Sequence, residues 1–260
     1  MIWLVDRRVI MSLLIFVLGT IFGSFYLVLA TRLPNGIDIL VSRSKCDKCG
    51  HVLKWYNLIP LFSFIFQKGK CPYCHQKINF ENFFVEIITG LLFLICYLIF
   101  GISYEFFIGL IIVSLLIIIF ISDFKYMIIL DSPLIVASIL VIILKIIYFG
   151  IKPALYSVLC GILIFLVMLL IQKIGNFIFK KESLGGGDIK LSFVIGLILN
   201  IRLSLITLIL STFLTLPYAI ATLCLNKNHQ FPYGPFLIGS LLIVFLFSEK
   251  FKILFSFLFQ

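Results

Sequence analysis

The sequence contains few charged residues. Asp, Glu, Lys and Arg make up 12% of its 260 residues, whereas soluble domains carry about 25%. A chain so poor in charge, with 62% hydrophobic residues and a mean hydropathy of +1.23, is not an ordinary cytosolic enzyme, a disordered protein or a secreted disulfide scaffold. Because about 20 apolar residues cross a bilayer as a helix, the composition indicates a polytopic membrane protein.

The apolar residues are grouped into runs that predict an all-α fold of about eight transmembrane helices. The first run is too long for the apolar region of a secretory signal, and no small-residue cleavage site closes it, so we expect a retained helix. The runs lie at about 9–31, 83–101, 106–122, 133–149, 154–174, 189–200, 204–225 and 236–258.

One long polar segment interrupts this pattern. Residues 32–82 contain eight basic residues and two cysteine pairs. We therefore expect a first transmembrane helix over 1–31, a small cytoplasmic cysteine-rich insert over 32–82, and a membrane domain over 83–260.

Acidic residues are also scarce, since 11 oppose 21 basic residues and leave a net charge of +10. In a membrane protein such a balance favours cytoplasmic loops facing anionic lipid over nucleic-acid binding. If 32–82 is cytoplasmic, alternation of the helices places fourteen of the 21 basic residues on that side. We therefore expect the N-terminus outside, the lipid bilayer as a partner and no nucleic acid.

Two aspartates stand at the ends of apolar runs. A carboxylate at a helix centre costs about 2.5–3.5 kcal/mol on insertion scales, so such residues usually face a cavity and have a function. Asp123 ends one predicted helix and Asp188 opens another, at similar depth. Each could instead cap a helix or pair with a nearby lysine, Lys125 or Lys190. Asp188 directly follows three glycines that would let a peptide approach it: Gly185, Gly186 and Gly187.

Two carboxylates that meet at such a place can act on a water molecule. Asp188 at a helix N-terminus feels the positive end of the helix dipole, which favours its ionised form, and Asp123 at a C-terminus feels the opposite bias. A pair that shares one proton in this way is the arrangement of aspartic proteases. Asp131, which precedes a Ser-Pro pair, fits a helix cap better.

The two cysteine pairs have the spacing of metal knuckles. Cys46 and Cys49 are separated by 21 residues from Cys71 and Cys74, and four thiolates on two tight turns suit a structural zinc ion. A small insert would gain from zinc the stability that its core cannot supply. Disulfides or a redox dithiol are the alternatives, which a cytoplasmic position disfavours.

With these motifs in their order, the chain resembles the type IV prepilin peptidases, the bifunctional leader peptidase/N-methyltransferases of bacterial membranes. Leu27 stands where that family usually has asparagine. The matching segments are Gly23-Ser24-Phe25 with Arg32-Leu33-Pro34, the two cysteine pairs, Glu86, Asp123 with Asp131, the GxGD motif Gly185–Asp188 with Lys190, and Pro232-Tyr233-Gly234-Pro235.

The resemblance implies a GxGD membrane aspartyl protease domain over 83–260 with Asp123 and Asp188 as catalytic residues. Its substrates would be the leader peptides of type IV prepilins and pseudopilins, cut at the cytoplasmic face after a glycine. The new N-terminus would then be methylated if the second activity is present, with S-adenosylmethionine as the methyl donor. No glycine-rich nucleotide motif locates a site for that donor in the sequence.

Two other functions remain open from the residues alone. Asp123 and Asp188 could be the proton-coupling carboxylates of a secondary transporter, although such sites lie near the midplane of repeated halves and the sequence has no internal repeat. The other alternative is a noncatalytic membrane assembly protein with a zinc domain. Only the peptidase cleaves a substrate, which separates it from both.

Overall fold

The computed structural model describes residues 2–39, 43–46, 48–181, 183–224 and 231–251. These residues form helices and turns, with no regular strand among them. The helices are α1 (Ile2–Arg32), α2 (Phe62–Phe66), α3 (Phe80–Phe100), α4 (Tyr104–Tyr126), α5 (Asp131–Phe149), α6 (Ile151–Phe179), α7 (Gly186–Ile198), α8 (Ile201–Cys224) and α9 (Gly234–Leu246).

The all-α membrane fold predicted from the sequence is confirmed, and within the described residues each apolar run overlaps a helix. In the described part of the chain, six helices are long and apolar enough to cross a membrane. The count of eight spans is not confirmed, because α7 and α9 contain 13 residues each. Thirteen residues extend about 20 Å, whereas the hydrocarbon core is about 30 Å thick. Leu225, Lys227 and the end of the last predicted run, 252–258, lie outside the described residues.

The chain forms two compact units, Met1–Ile102 and Ser103–Gln260. In the first unit α1 packs along α3, and the cysteine-rich insert is the connection between these helices. In the second unit α4, α7 and α9 carry many fully buried side chains, whereas α5, α6 and α8 expose rows of Leu, Ile and Phe. Such exposed apolar faces suit contact with lipid.

The short helix α7 is held at its far end by a half-buried lysine. Lys145 of α5 donates to the backbone oxygens of Leu197 (2.7 Å) and Ile198 (3.4 Å) and to the Ser157 hydroxyl of α6 (2.6 Å). The last carbonyls of a helix have no partner within it, and a cation is favourable there. Lys145 therefore ties three helices together and fixes the position of α7 along its axis.

Candidate active site and metal centre

Asp123 lies in the last turn of α4 and is 6% exposed. Its Oδ2 accepts a hydrogen bond from the backbone N–H of Gly234 at 3.1 Å. Gly234 is the first residue of α9, so the carboxylate also faces the N-terminal end of that helix. From the sequence Asp123 was placed only at a helix C-terminus. The structure adds a second helix end, whose dipole favours a negative charge.

Asp188 is the third residue of α7 and is 7% exposed. Its Oδ2 points back toward Gly185, the residue that caps the helix, because a Cβ placed on Gly185 would lie 3.1 Å from that oxygen. Its Oδ1 is buried and has no hydrogen-bond partner among the described residues. A buried polar atom without a partner is rare in native proteins, and here it leaves one carboxylate oxygen available to a ligand.

The two aspartates are brought to one place, since Gly187, directly before Asp188, and Gly234, which binds Asp123, both lie against Ile129. Both lie at the same end of the second unit, where α4 ends and α7 and α9 begin. Lys190 does not pair with Asp188. Instead its Nζ binds both carboxylate oxygens of Asp131 at 2.7 and 2.8 Å, so Asp188 has no counter-charge from this lysine.

Glycines let the segments around the pair approach closely. A Cβ on Gly187 would lie 2.6 Å from the Cβ of Ile129, and one on Gly234 would lie 2.7 Å from Ile129 Cδ1 and 3.0 Å from Asp123 Oδ2. Side chains cannot be accommodated at such distances without movement of the neighbours. Gly186 differs, because a Cβ there would meet nothing within 4 Å.

Tyr233 is a further residue near the carboxylates, and the sequence argument did not assign it a role. Its hydroxyl and the Ser211 hydroxyl form a hydrogen bond of 2.6 Å. Burial raises the pKa of Tyr233. The hydrogen bond with Ser211 lowers it in part, and the negative charge of Asp188 raises it further. The Pro-Tyr-Gly-Pro segment was the available signal, since it places Tyr233 directly before the glycine that binds Asp123.

The cysteine-rich insert gathers its four paired cysteines into one cluster. The sulfur atoms of Cys46, Cys49, Cys71 and Cys74 lie within 4.8 Å of one another, and the sulfurs of Cys46 and Cys74 are 3.9 Å apart. A tetrahedral zinc with Zn–S bonds of about 2.3 Å separates its sulfurs by about 3.8 Å. Backbone N–H groups of Cys49 and Lys48 lower the pKa of the Cys46 thiol to about 7. A backbone hydrogen bond from Gln76 lowers the pKa of the Cys74 thiol, but burial and the neighbouring cysteines outweigh it and raise this pKa to about 11.

The two knuckles have the same backbone pattern. The N–H of Cys46 donates to His51 and that of Cys71 donates to Gln76, each at 2.9 Å. Isolated antiparallel bridges join Lys45 to Val52 and Lys70 to Lys77. Each cysteine pair therefore sits in a small turn closed by backbone hydrogen bonds. Neither His51 nor His75 belongs to the cluster, and the donor set fits one zinc ion.

A third acidic residue is buried in the first unit. Glu86 of α3 is 7% exposed, and its Oε2 accepts a hydrogen bond from the backbone N–H of Leu61 in the insert at 2.8 Å. The Ser24 side chain of α1 also hydrogen-bonds this carboxylate. Three segments of the first unit therefore meet at Glu86.

Comparison with known proteins finds two families whose models match successive segments of the chain. Residues 17–100 match the Bacterial Peptidase A24 N-terminal domain, and residues 110–220 match the Type IV leader peptidase family. The first match contains the cysteine cluster and Glu86, and the second contains Asp123 and Asp188. No solved structure matches the chain.

Several curated proteins are similar over most of the chain. The prepilin leader peptidase/N-methyltransferase of Bacillus subtilis (strain 168) is 32% identical over 91% of this chain and 94% of that protein. The protein of that name from Vibrio cholerae is 31% identical over 88% of this chain and 94% of its own length. The one from Myxococcus xanthus is 36% identical over 74% of this chain and 57% of its own length.

Proposed function

Since the chain belongs to the type IV leader peptidase family, we propose that it cleaves the N-terminal leader of type IV prepilins and pseudopilins and then methylates the new N-terminus. The observation that carries the peptidase assignment is the pair of buried carboxylates, Asp123 and Asp188, with one Asp188 oxygen that has no hydrogen-bond partner in the described part of the chain. A substrate group or the attacking water would occupy that position.

In the proposed mechanism the two carboxylates share one proton, because two neighbouring buried carboxyl groups do not both ionise readily. The ionised carboxylate removes a proton from water as the water oxygen attacks the scissile carbonyl carbon. The protonated partner donates its proton to the carbonyl oxygen. When the C–N bond breaks, the leaving amine takes a proton from the first carboxyl group, and a hydroxyl of the tetrahedral intermediate returns its proton to the second carboxylate as the product acid forms. The pair then again holds one shared proton.

The glycines before Asp188 supply a test of the local geometry. Replacement of Gly187 by Ala would place a Cβ against Ile129 and displace the start of α7, which carries Asp188. We expect Gly187→Ala to lower the rate of leader cleavage by roughly 10²-fold, the cost of a displacement of about 1 Å in an active site. Gly186→Ala is the matched control, since its Cβ meets open space, and it should keep a rate within about threefold of the wild type. Equal rates for the two variants would contradict this account of the turn.

The multi-pass membrane location follows from the helices, and the orientation is part of the proposal. We propose that the insert, Asp123 and Asp188 face the cytoplasm and that the N-terminus is outside. Two spans, α3 and α4, separate the insert from Asp123, and α5 and α6 separate Asp123 from Asp188. An even number of spans keeps all three on one side. The short helices α7 and α9 do not enter this count.

Single cysteines introduced at exposed lysines test the orientation. The variants are Lys54→Cys in the insert, Lys125→Cys after Asp123, and Lys181→Cys before Asp188, with Lys152→Cys for the opposite face; all four lysines are exposed. Cys224→Ser removes the exposed thiol outside the insert. An impermeant thiol reagent on intact cells should label only Lys152→Cys, and the other three should react once the membrane is opened. Labelling of the first three on intact cells would invert the topology.

The four cysteines 46, 49, 71 and 74 would hold one structural zinc. A closed shell of four thiolates has no open position to activate water, so the zinc would stabilise the insert and take no part in hydrolysis. We propose the division into a first helix (1–31), the cytoplasmic cysteine-rich domain (32–82) and the membrane aspartyl protease domain (83–260). S-adenosylmethionine enters only as the methyl donor of the second reaction.

Purified protein and a synthetic prepilin peptide test the peptidase reaction directly. The peptide would contain a leader, the cleavage site after glycine and the following apolar segment, and mass spectrometry would identify the products. We expect one cut after the glycine. A secondary transporter or a noncatalytic assembly protein, which the family membership does not favour, would leave the peptide intact.

A further inference from the structure

Glu86 is a buried carboxylate that the peptidase mechanism does not use. It is 7% exposed, and among the described residues no lysine or arginine forms an ion pair with it. Buried charges are normally paired because desolvation is costly. An ionisable residue within a membrane helix is therefore a candidate functional group, and Glu86 has no cationic partner of its own.

Segments from the insert and from α1 approach Glu86 closely. The N–H of Leu61 reaches Oε2 at 2.8 Å from a backbone with φ 60°, a strained conformation for a residue with a side chain. On the α1 side, a Cβ on Gly23 would lie 3.1 Å from the Glu86 Cα, so this glycine lets α1 approach. An ionised carboxylate has about four acceptor positions, and Leu61 and Ser24 use two of them.

Glu86 lies nearer to the end of α3 that follows the insert than to its other end. It is six residues into α3, which corresponds to about 9 Å along the helix axis. Hydrolysis of a prepilin produces a new N-terminus directly before the apolar segment of the pilin, and this amine would lie near the membrane surface. An α-amino group has a pKa of about 7.7–8.0 and is mostly protonated at neutral pH. Its nitrogen has no lone pair for methyl transfer until a base removes a proton.

We propose that Glu86 binds the α-ammonium of the cleaved pilin and accepts its proton during N-methylation. This inference rests on the second reaction of the proposed function. The proton passes from nitrogen to the Glu86 carboxylate, and the freed lone pair forms the N–C bond with the methyl carbon of the sulfonium donor. The S–C bond breaks with its electron pair on sulfur, and Glu86 then releases the proton to water. Glu86 lies in the part that matches the N-terminal domain, apart from the peptidase match.

Glu86→Gln separates this role from a structural one. The glutamine carbonyl can still accept the Leu61 N–H, so a residue that only clips the insert to α3 would tolerate the change. A base would not. We expect leader cleavage within about twofold of the wild type and at least a 100-fold loss of methyl transfer, the order of a general base's contribution. Glu86→Asp should restore part of the transfer. Glu81→Gln is the matched control on α3, where Glu81 bonds Asn79, and both activities should persist.

A binding measurement tests whether Glu86 binds the ammonium group, and it requires neither a methyl donor nor an active variant. The probe is a synthetic pilin peptide that begins at the cleavage site with a free α-amine, compared with the same peptide acetylated at its N-terminus. Wild-type protein should bind the free amine at least tenfold more tightly, and Glu86→Gln should lose that preference. Comparable binding of the two peptides by the wild type, or wild-type methyl transfer by Glu86→Gln, would overturn the assignment. If the wild type cleaves but transfers no methyl group, the second reaction and the role of Glu86 as its base are both refuted, while the peptidase assignment stands.

Discussion

Asp123→Asn and Asp188→Asn should each abolish leader cleavage while the protein still accumulates in the membrane. An amide cannot exchange the shared proton, so neither member of the pair can be spared. Each change should reduce the rate by about 10³-fold or more, within the range that general acid–base catalysis contributes. Asparagine keeps the shape of the side chain, and its carbonyl can still accept the Gly234 N–H in the case of Asp123. The loss should therefore reflect chemistry rather than folding.

Asp131→Asn is the matched control for these variants. Asp131 opens α5, and its carboxylate binds Lys190, with both side chains more than half exposed. Exposed ion pairs contribute about 0.2–1 kcal/mol, so the cleavage rate should change by only a fewfold. The measurement is the fraction of prepilin processed with time in membranes that contain equal amounts of each variant. Near-normal processing by Asp123→Asn or Asp188→Asn would remove that residue from the mechanism.

The cysteine cluster should contain about one zinc per chain, and loss of a ligand should release it. Apparent binding energies for structural zinc are about 10–16 kcal/mol at neutral pH, so replacement of one thiolate should have a large effect. Cys71 is the buried member of the cluster. We expect Cys71→Ser to reduce zinc to below about one tenth of an equivalent and to loosen the insert, with leader cleavage retained. Elemental analysis of purified protein and limited proteolysis of the insert measure the two effects.

Cys224→Ser is the control for the zinc measurement, since Cys224 is exposed and lies outside the cluster. Its zinc content should equal that of the wild type. Freshly purified wild-type protein without metal would refute the zinc site. Complete loss of cleavage in a Cys71→Ser protein that is still folded in its membrane helices would give the insert a role in proteolysis that a closed thiolate shell cannot explain.

Local patterns were sufficient to predict the helices and the carboxylate pair. Apolar runs report burial in lipid along one continuous segment, so their positions agree with the helices even where the boundaries move by several residues. Asp123 and Asp188 stood out because a carboxylate in an apolar run is costly. The cysteine spacing is likewise local to each knuckle, and the structure places the four sulfurs together.

Contacts between distant segments could not be predicted in the same way. The Gly234 N–H that binds Asp123 comes from a residue 111 positions away, and no periodicity relates them. Lys190 had a nearer candidate in Asp188, two residues before it, yet it reaches Asp131 on another helix. A helix turns about 100° per residue, so residues 188 and 190 face nearly opposite directions. The sequence contained this information, but only the packing of α5 against α7 shows which partner is available.

The mass of a processed pilin measures the central claim most directly. A candidate prepilin would be co-expressed with the wild-type protein or with Asp188→Asn, and the intact mass of the recovered pilin would be determined. The account predicts a pilin that has lost its leader after the glycine and gained one methyl group with the wild type, and an unprocessed prepilin with Asp188→Asn. A full-length prepilin with the wild type, or a pilin cleaved equally well by Asp188→Asn, would contradict it.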